Sequence, residues 1–496
     1  MTADAGFLTF GAILDRGERL RGDRVALIGD DRTVTYAQFN AATRRLAAGL
    51  RDLGVRRGDR VAIVAENSVD LLTVLGATAR LGAAFVPVNW RLTPDEVGYL
   101  LGDAEPAVVF AAAAHAGLVS SARVLVLEDG LPPGDDTVST DDAAEGDLIA
   151  LMYTAAMSGR PLGAMMTQRS FVYQSANIAA GLGFKATDVY ANLLPLYHTA
   201  GLSYTLAFLQ TGATIVLPSR FDAAAATALV AAHGVTVIAG TQPMGARILD
   251  VARETGADLR TLRLVLGREK PETMREFATV APDVHWVLGN YGQTETHGPA
   301  AVGEQRRGAD LTGEIVARGW ESPLTTVVIA DEKDVPLPPG GVGQILVRGP
   351  SVAAGYWRCP EATARALRNG WWHTGDLGTR AEDGSIRFVA RMEEKDFIKT
   401  GGENVYPVEV EAVLRRHPGV REVVVVGVAD PQWREAVKAV VVPAGRVGDG
   451  FADELVELCR QHLAAYKKPR TVQLVDALPT DPRGAVDRTA AKKLYG

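Results

Sequence analysis

The chain has 496 residues, 47% of them hydrophobic, with a formal net charge of −7 and two cysteines. That length supports two or more domains with substantial cores. The mild negative charge lacks the basic stripe of a nucleic-acid binder; Cys359 and Cys459 form neither a disulfide framework nor a metal set, which fits a reducing cytoplasm; and no signal segment or apolar run of ~20 residues points to export or a membrane span.

Along the first three-quarters of the chain, short apolar runs alternate with helical patterns. Arg60 to Val64 reads as a buried strand, Val69 to Arg80 as a helix and Ala84 to Val88 as the next strand. Ala107 to Phe110, Val124 to Leu127, Thr214 to Leu217 and Val235 to Ile238 repeat the strand signature. Such alternation predicts an α/β fold of parallel sheets with crossover helices. A turn-rich stretch from Pro336 to Gly341 separates strand-like runs ending at Ile329 and starting at Gly343. It predicts a smaller β-rich unit between about 300 and 390. Past Arg391 the pattern becomes βαβ-like: a helix from Pro407 to Arg416, strands from Glu422 to Val428 and Val437 to Val442, and a helix from Phe451 to Ala465. The expected division is a large N-terminal domain, residues 1–394, and a small α+β domain, residues 395–496.

The chemistry-bearing motifs follow in order. The first is Tyr153-Thr154-Ala155-Ala156-Met157-Ser158-Gly159-Arg160-Pro161-Leu162-Gly163. Then come Leu194-Pro195-Leu196-Tyr197-His198-Thr199-Ala200-Gly201, Leu266-Gly267-Arg268-Glu269-Lys270-Pro271 and Asn290-Tyr291-Gly292-Gln293-Thr294-Glu295. Gly370-Trp371-Trp372-His373-Thr374-Gly375-Asp376 precedes Arg391, and Lys395-Asp396-Phe397-Ile398-Lys399-Thr400-Gly401-Gly402 follows it. Leu463 to Pro469 and Gly484-Ala485-Val486-Asp487-Arg488 close the series. In this order and spacing they resemble the adenylate-forming enzymes: acyl-CoA synthetases, peptide-synthetase adenylation domains and luciferases. The resemblance runs over nearly the whole chain, and function still has to be argued from the sites.

The resemblance implies two half-reactions, adenylation of a carboxylate by ATP and then transfer of the acyl group to a thiol after the C-terminal domain rotates. Asp376, a two-oxygen acceptor, would take both ribose hydroxyls, with Arg391 also reaching the ribose. Tyr291 would pack on adenine, with Asn290 and Gly292 beside it, Thr294 would donate to the α-phosphate, and Glu295 would help hold magnesium on ATP. Gly267 and Arg268 fall in the adenine loop, which is about three residues short here and charged. His198 would line the acyl pocket and thiol path as a pocket or gate residue. Lys399, Gly401 and Gly402 would lie along the pantetheine of coenzyme A, with His198 and Gly402 serving the thioester step. Lys395 is the expected hinge residue of a two-state domain rotation. No residue is expected to hold a metal of the protein's own.

Two positions depart from the family where a cation is needed. In relatives the phosphate loop reads Tyr-Thr-Ser-Gly-Thr-Thr-Gly-x-Pro-Lys-Gly, and Leu162 stands at its lysine, Ala155 at its serine, Ala156 at a glycine and Met157 at a threonine. Ala485 stands at the lysine of the C-terminal motif. Phosphate grip and developing charge require donors and cations, so adenylation is expected to be lost while acyl transfer is kept. The pattern resembles a non-adenylating acyl-CoA ligase of platensimycin- and platencin-type antibiotic biosynthesis. That would imply a bulky aromatic or terpenoid-derived acyl group, a supplied acyl-AMP, coenzyme A as co-substrate, AMP as product, no productive use of ATP and Mg²⁺, and a separate adenylating enzyme as partner. The sequence leaves open a complete ATP-dependent synthetase with a replaced lysine, a catalytically dead acyl-nucleotide scaffold, and a carrier-protein thiol as acceptor.

Overall fold

The computed structural model of the chain describes residues 7–120, 123–135, 142–154, 160–267, 269–311, 318–392, 397–480 and 486–496. The chain divides into two compact units. The first comprises Met1–Trp90, Leu101–Tyr153 and Gly163–Ala390, and the second Arg91–Leu100, Thr154–Leu162 and Arg391–Gly496. No helix among the described residues is long and apolar enough to cross a membrane.

The apolar runs of the first unit become the strands of two sheets. Strand Arg60–Val64 pairs in parallel with Ala84–Val88, residue against residue from Arg60↔Ala84 to Val64↔Val88. The helix Val69–Arg80 makes the crossover, started by Ser68, whose hydroxyl accepts from Leu71 N, and closed by Arg80 in its last turn. Both polar ends suit the helix dipole and its orphan amides. Within this sheet of six strands the order of hydrogen-bonded neighbours is Val124–Val126, Val108–Ala111, Arg60–Val64, Ala84–Val88, Leu148–Thr154, Leu162–Thr167. Arg60–Val64, Ala84–Val88 and Val108–Ala111 are buried on both faces, which is why they read as unbroken apolar runs rather than alternating ones.

The larger sheet has a parallel half built from Leu264–Leu266, Val237–Ala239, Val189–Asn192, Thr214–Leu217 and Val25–Gly29. Strand His285–Leu288 joins them in parallel and then pairs antiparallel with Gly298–Arg307. From there the pairing continues through Gly319–Glu321, Ile386–Arg391, Trp371–Arg380 and Val342–Arg348 to Thr326–Ala330. The β-rich region expected between 300 and 390 is therefore present, but it is hydrogen-bonded to the parallel sheet rather than separated from it. The turn-rich Pro336 to Gly341 segment joins Thr326–Ala330 to its antiparallel neighbour Val342–Arg348.

In the second unit, Glu403–Val405, Ile398–Thr400, Arg434–Pro443 and Val420–Asp430 form a sheet, with Thr471–Leu474 parallel to Arg434–Pro443. Val420–Asp430 and Arg434–Pro443 form a hairpin longer than the two expected strands, paired from Val420↔Pro443 to Asp430↔Arg434. The helix expected to reach Ala465 ends at His462. Val410, Leu414, Val423, Val425, Val441 and Leu455 fill its core. The tail helix Arg488–Tyr495 is capped by Asp487 and carries Lys492 and Lys493 in its last turn.

Candidate functional site

Strands of an open parallel sheet end where ligands bind. Asn192, Ala239, Leu266 and Leu288 close four neighbouring strands, and Gly240, Gly267 and Asn290 lie just beyond. A side chain on Gly267 would collide with the Gly240 carbonyl oxygen, and one on Gly292 with the Gly298 carbonyl oxygen. Both positions need glycine because another backbone passes there. Asn290 bridges outward: Gly303 N donates to its Oδ1 at 2.7 Å, and its Nδ2 donates to the Tyr204 hydroxyl at 3.4 Å.

Tyr291 lies on the short strand Tyr291–Gln293, and Thr294 and Glu295 on the single 3₁₀ turn that follows. Asp376 lies on Trp371–Arg380. The fold brings these together. The Tyr291 hydroxyl donates to Asp376 Oδ2 at 2.8 Å across 85 residues of sequence. Asp376 N bonds the Thr374 hydroxyl at 3.1 Å, and that hydroxyl donates to the Ile345 carbonyl at 2.6 Å. Burial, and then the Asp376 charge, push the Tyr291 phenol well above its ordinary value, so it remains a protonated donor. Glu295 is buried, and its Oε1 accepts the Tyr356 hydroxyl at 2.7 Å. Tyr356 was not among the residues expected from the sequence; only its distance from Glu295 in space identifies it. Among the described residues no group of three or more His, Cys, Asp and Glu is placed to hold a metal ion.

His198 is the N-cap residue of the helix Thr199–Thr211, with its ring tilted at 60° to Tyr197 and centroids 4.6 Å apart. Asn67 holds the preceding loop from both sides, donating to the Leu194 carbonyl at 2.9 Å and accepting from Leu196 N at 2.8 Å. The charge in the shortened loop after Leu266 has a structural use. Glu269 Oε1 accepts Gly245 N at 2.8 Å, at the start of the helix Met244–Thr255. Burial raises the Glu269 carboxyl, and the backbone amides of Gly245 and Ala246 oppose that rise. Arg268 lies outside the described residues.

The remaining expected residues belong to the second unit or lie outside the described residues. Arg391 places its guanidinium 3.4 Å over the Phe397 ring and donates to the Phe397 carbonyl at 3.0 Å. Lys399 sits on Ile398–Thr400, paired opposite Asn404, and its amide donates to Glu435 Oε2 at 2.7 Å. Gly401 and Gly402 form the turn after it with φ of 57° and 89°, both left-handed. A side chain on Gly401 would meet Trp433 Cε3 at 2.8 Å. Trp433 carries the Arg470 guanidinium 5.2 Å from its ring centre, a pairing absent from the sequence expectations. Leu162 begins its strand, and Thr154 donates to its carbonyl at 3.3 Å. Arg160 lies 5.5 Å over the Tyr99 ring, whose hydroxyl donates to the Pro161 carbonyl at 3.2 Å. Lys395, Ala485, Ala155, Ala156 and Met157 lie outside the described residues.

Residues 14–357 match the AMP-binding enzyme family, and residues 409–485 match the AMP-binding enzyme C-terminal domain. The chain is an acyl-CoA ligase of the AMP-binding enzyme family. The ligase is 38% identical over 471 residues to a feruloyl-CoA synthase of Amycolatopsis sp, covering 93% of this chain and 94% of the relative. It is 32% identical to the indoleacetate–CoA ligase of Aromatoleum aromaticum, covering 97% of each. Among solved structures, a double mutant of o-succinylbenzoate CoA synthetase from Bacillus subtilis, bound with a product analogue, superposes with a TM-score of 0.85 at 27% identity, covering 97% of each chain. Coenzyme A as co-substrate and AMP in the reaction are consistent with this membership.

Proposed function

We propose that this ligase catalyses the thioester half-reaction alone, taking a supplied acyl-AMP and coenzyme A to acyl-CoA and AMP. The observation that carries the reading is the contrast between Leu162 and Ala485, which stand where the family has its two lysines, and the intact Tyr291–Asp376 pair. Adenylation builds charge on phosphate and carboxylate, and losing one electrostatic donor typically costs ~10²–10³ in rate. Two losses with a depleted phosphate loop leave little adenylation. Acyl transfer needs an adenylate seat, an acyl pocket and a thiol path. The first is offered by Tyr291, Thr294 and Asp376, the second by the segment around His198, and the third by Gly401 and Gly402. Magnesium has no required role in that step, and a separate enzyme would supply the acyl-AMP. The relatives named for feruloyl and indoleacetate groups support an aromatic acyl group, in line with the resemblance to non-adenylating ligases of antibiotic biosynthesis.

The deciding assay runs two reactions side by side: synthetic aroyl-AMP with coenzyme A, and free acid with ATP, Mg²⁺ and coenzyme A. Thioester is expected in the first, with little pyrophosphate released in the second. Pyrophosphate release at ordinary enzyme rates, ~1–10³ s⁻¹, defeats the proposal. Ala485→Lys should restore adenylation only in part, because the phosphate loop stays depleted. A second reading, a complete synthetase, is favoured by Arg160, a loop cation close to Leu162. It requires Arg160→Ala to abolish adenylation measured by pyrophosphate release.

A further inference from the structure

The turn that carries Thr294 and Glu295 ends on His297, whose backbone has φ of 57°. Left-handed backbone is uncommon for a residue with a Cβ, although His is among the types enriched there. The side chain is fully buried. Its Nε2 lies 3.0 Å from the Ser170 hydroxyl, its ring meets Phe171 edge-on with centroids 5.6 Å apart, and its carbonyl accepts the Ser203 hydroxyl at 2.7 Å. Ser170 belongs to the capping box of the helix Gln168–Leu182. Ser203 lies in the helix Thr199–Thr211, which starts immediately after His198. One residue thus ties three elements: the adenylate turn, the helix Gln168–Leu182, and the helix that begins on the acyl side of the site.

The ring is a costly way to fill that space. Its Nδ1 is buried beside the Ser351 backbone without a hydrogen bond of good geometry. An apolar ring would leave no orphan nitrogen. What imidazole adds is orientation: the bond to Ser170 fixes its rotation, and the ring in turn fixes the turn. We infer that His297 is a positioning residue for acyl transfer, holding the Thr294–Glu295 turn in register with the helix that follows His198. This rests on the reading that the site takes acyl-AMP. Such a substrate spans both elements, with its phosphate at the turn and its acyl group on the His198 side, so their spacing sets the geometry of attack. Misplacing reacting groups by about 1 Å can cost ~10²-fold in rate without a matching loss of binding.

The test uses the full chain with supplied aroyl-AMP and coenzyme A. His297→Phe fills the space without the Ser170 bond. It should lower kcat by ~10²-fold while the Kd for aroyl-AMP, set mainly by Tyr291 and Asp376, stays within about threefold. His297→Asn tolerates the left-handed backbone and keeps a polar group, so it should recover much of the kcat. Ser203→Ala, which removes only the hydroxyl on the His297 carbonyl, should shift kcat in the same direction and decides the matter if His297→Phe does not fold. Unchanged kcat in the folded variants, or Kd and kcat worsening together, overturns the inference. A parent chain inactive on aroyl-AMP but active with acid and ATP would defeat the non-adenylating reading instead. The same split between kcat and substrate binding would then be read on the complete reaction.

Discussion

Two carboxylate clusters, one in each unit, are held in opposite ways. In the first, Asp376 and Glu295 each accept a tyrosine hydroxyl, from Tyr291 and Tyr356. In the second, Lys467 lies between Glu96 and Glu409, with Nζ 2.6 Å from an oxygen of each. Burial works against the Lys467 ammonium, but Glu409 and Glu96 outweigh it and its pKa rises. A phenol orients a carboxylate without cancelling its charge, whereas an ammonium both orients and neutralises it. The first arrangement leaves the Asp376 charge available as an acceptor, the role the proposed acyl-AMP site asks of it; the second is a fastening. In the second unit the element proposed to face the thiol is instead a backbone turn, Gly401 and Gly402.

The largest expected effect tests that last point. Gly402→Leu places a Cβ at a φ of 89° and a side chain in the expected path of the thiol. Thioester formation from supplied acyl-AMP should be abolished while acyl-AMP affinity by calorimetry stays within a few-fold. A parental rate would remove this turn from the reaction. Next, Lys467→Met leaves two partly buried carboxylates facing each other without their buried cation and should cost about 3–5 kcal/mol in denaturant unfolding. Adding Glu96→Gln and Glu409→Gln should return much of that loss; no return would mean that the cluster acts through packing rather than charge. In the first unit, Asp376→Ala removes the proposed ribose acceptor. Charge-assisted hydrogen bonds contribute ~1.5–3 kcal/mol, so acyl-AMP should bind at least about tenfold more weakly. Unchanged affinity would dissolve the contrast between the units. The smallest effect belongs to Tyr356→Phe, which removes one neutral donor from Glu295. Acyl-AMP binding should change by no more than the ~0.5–1.5 kcal/mol of an ordinary hydrogen bond.

Local chemistry was legible in the sequence and pairing across it was not. The helix Val69–Arg80 and the strands Arg60–Val64, Ala84–Val88 and Thr214–Leu217 fall where their sequence patterns place them. The β-rich region was legible as strands and turns, but its attachment through His285–Leu288 and Gly298–Arg307 depends on register between segments that no local pattern encodes. The motif residues Tyr291, Glu295 and Asp376 stood out by residue type. Their partners did not: Tyr356 is 61 residues from Glu295, and an aromatic at that distance reads as ordinary core. His297 lies two residues past its motif, and only the fold brings Ser170 and Ser203 to it.

Glu269 has one further consequence. Its carboxylate occupies the amide-lined start of the helix Met244–Thr255, a position that elsewhere attracts phosphate or substrate carboxylate. The seat is filled from within. A negatively charged ligand gains nothing at that helix unless it displaces Glu269. The loop after Leu266 thus supplies the anion for this helix start from its own sequence.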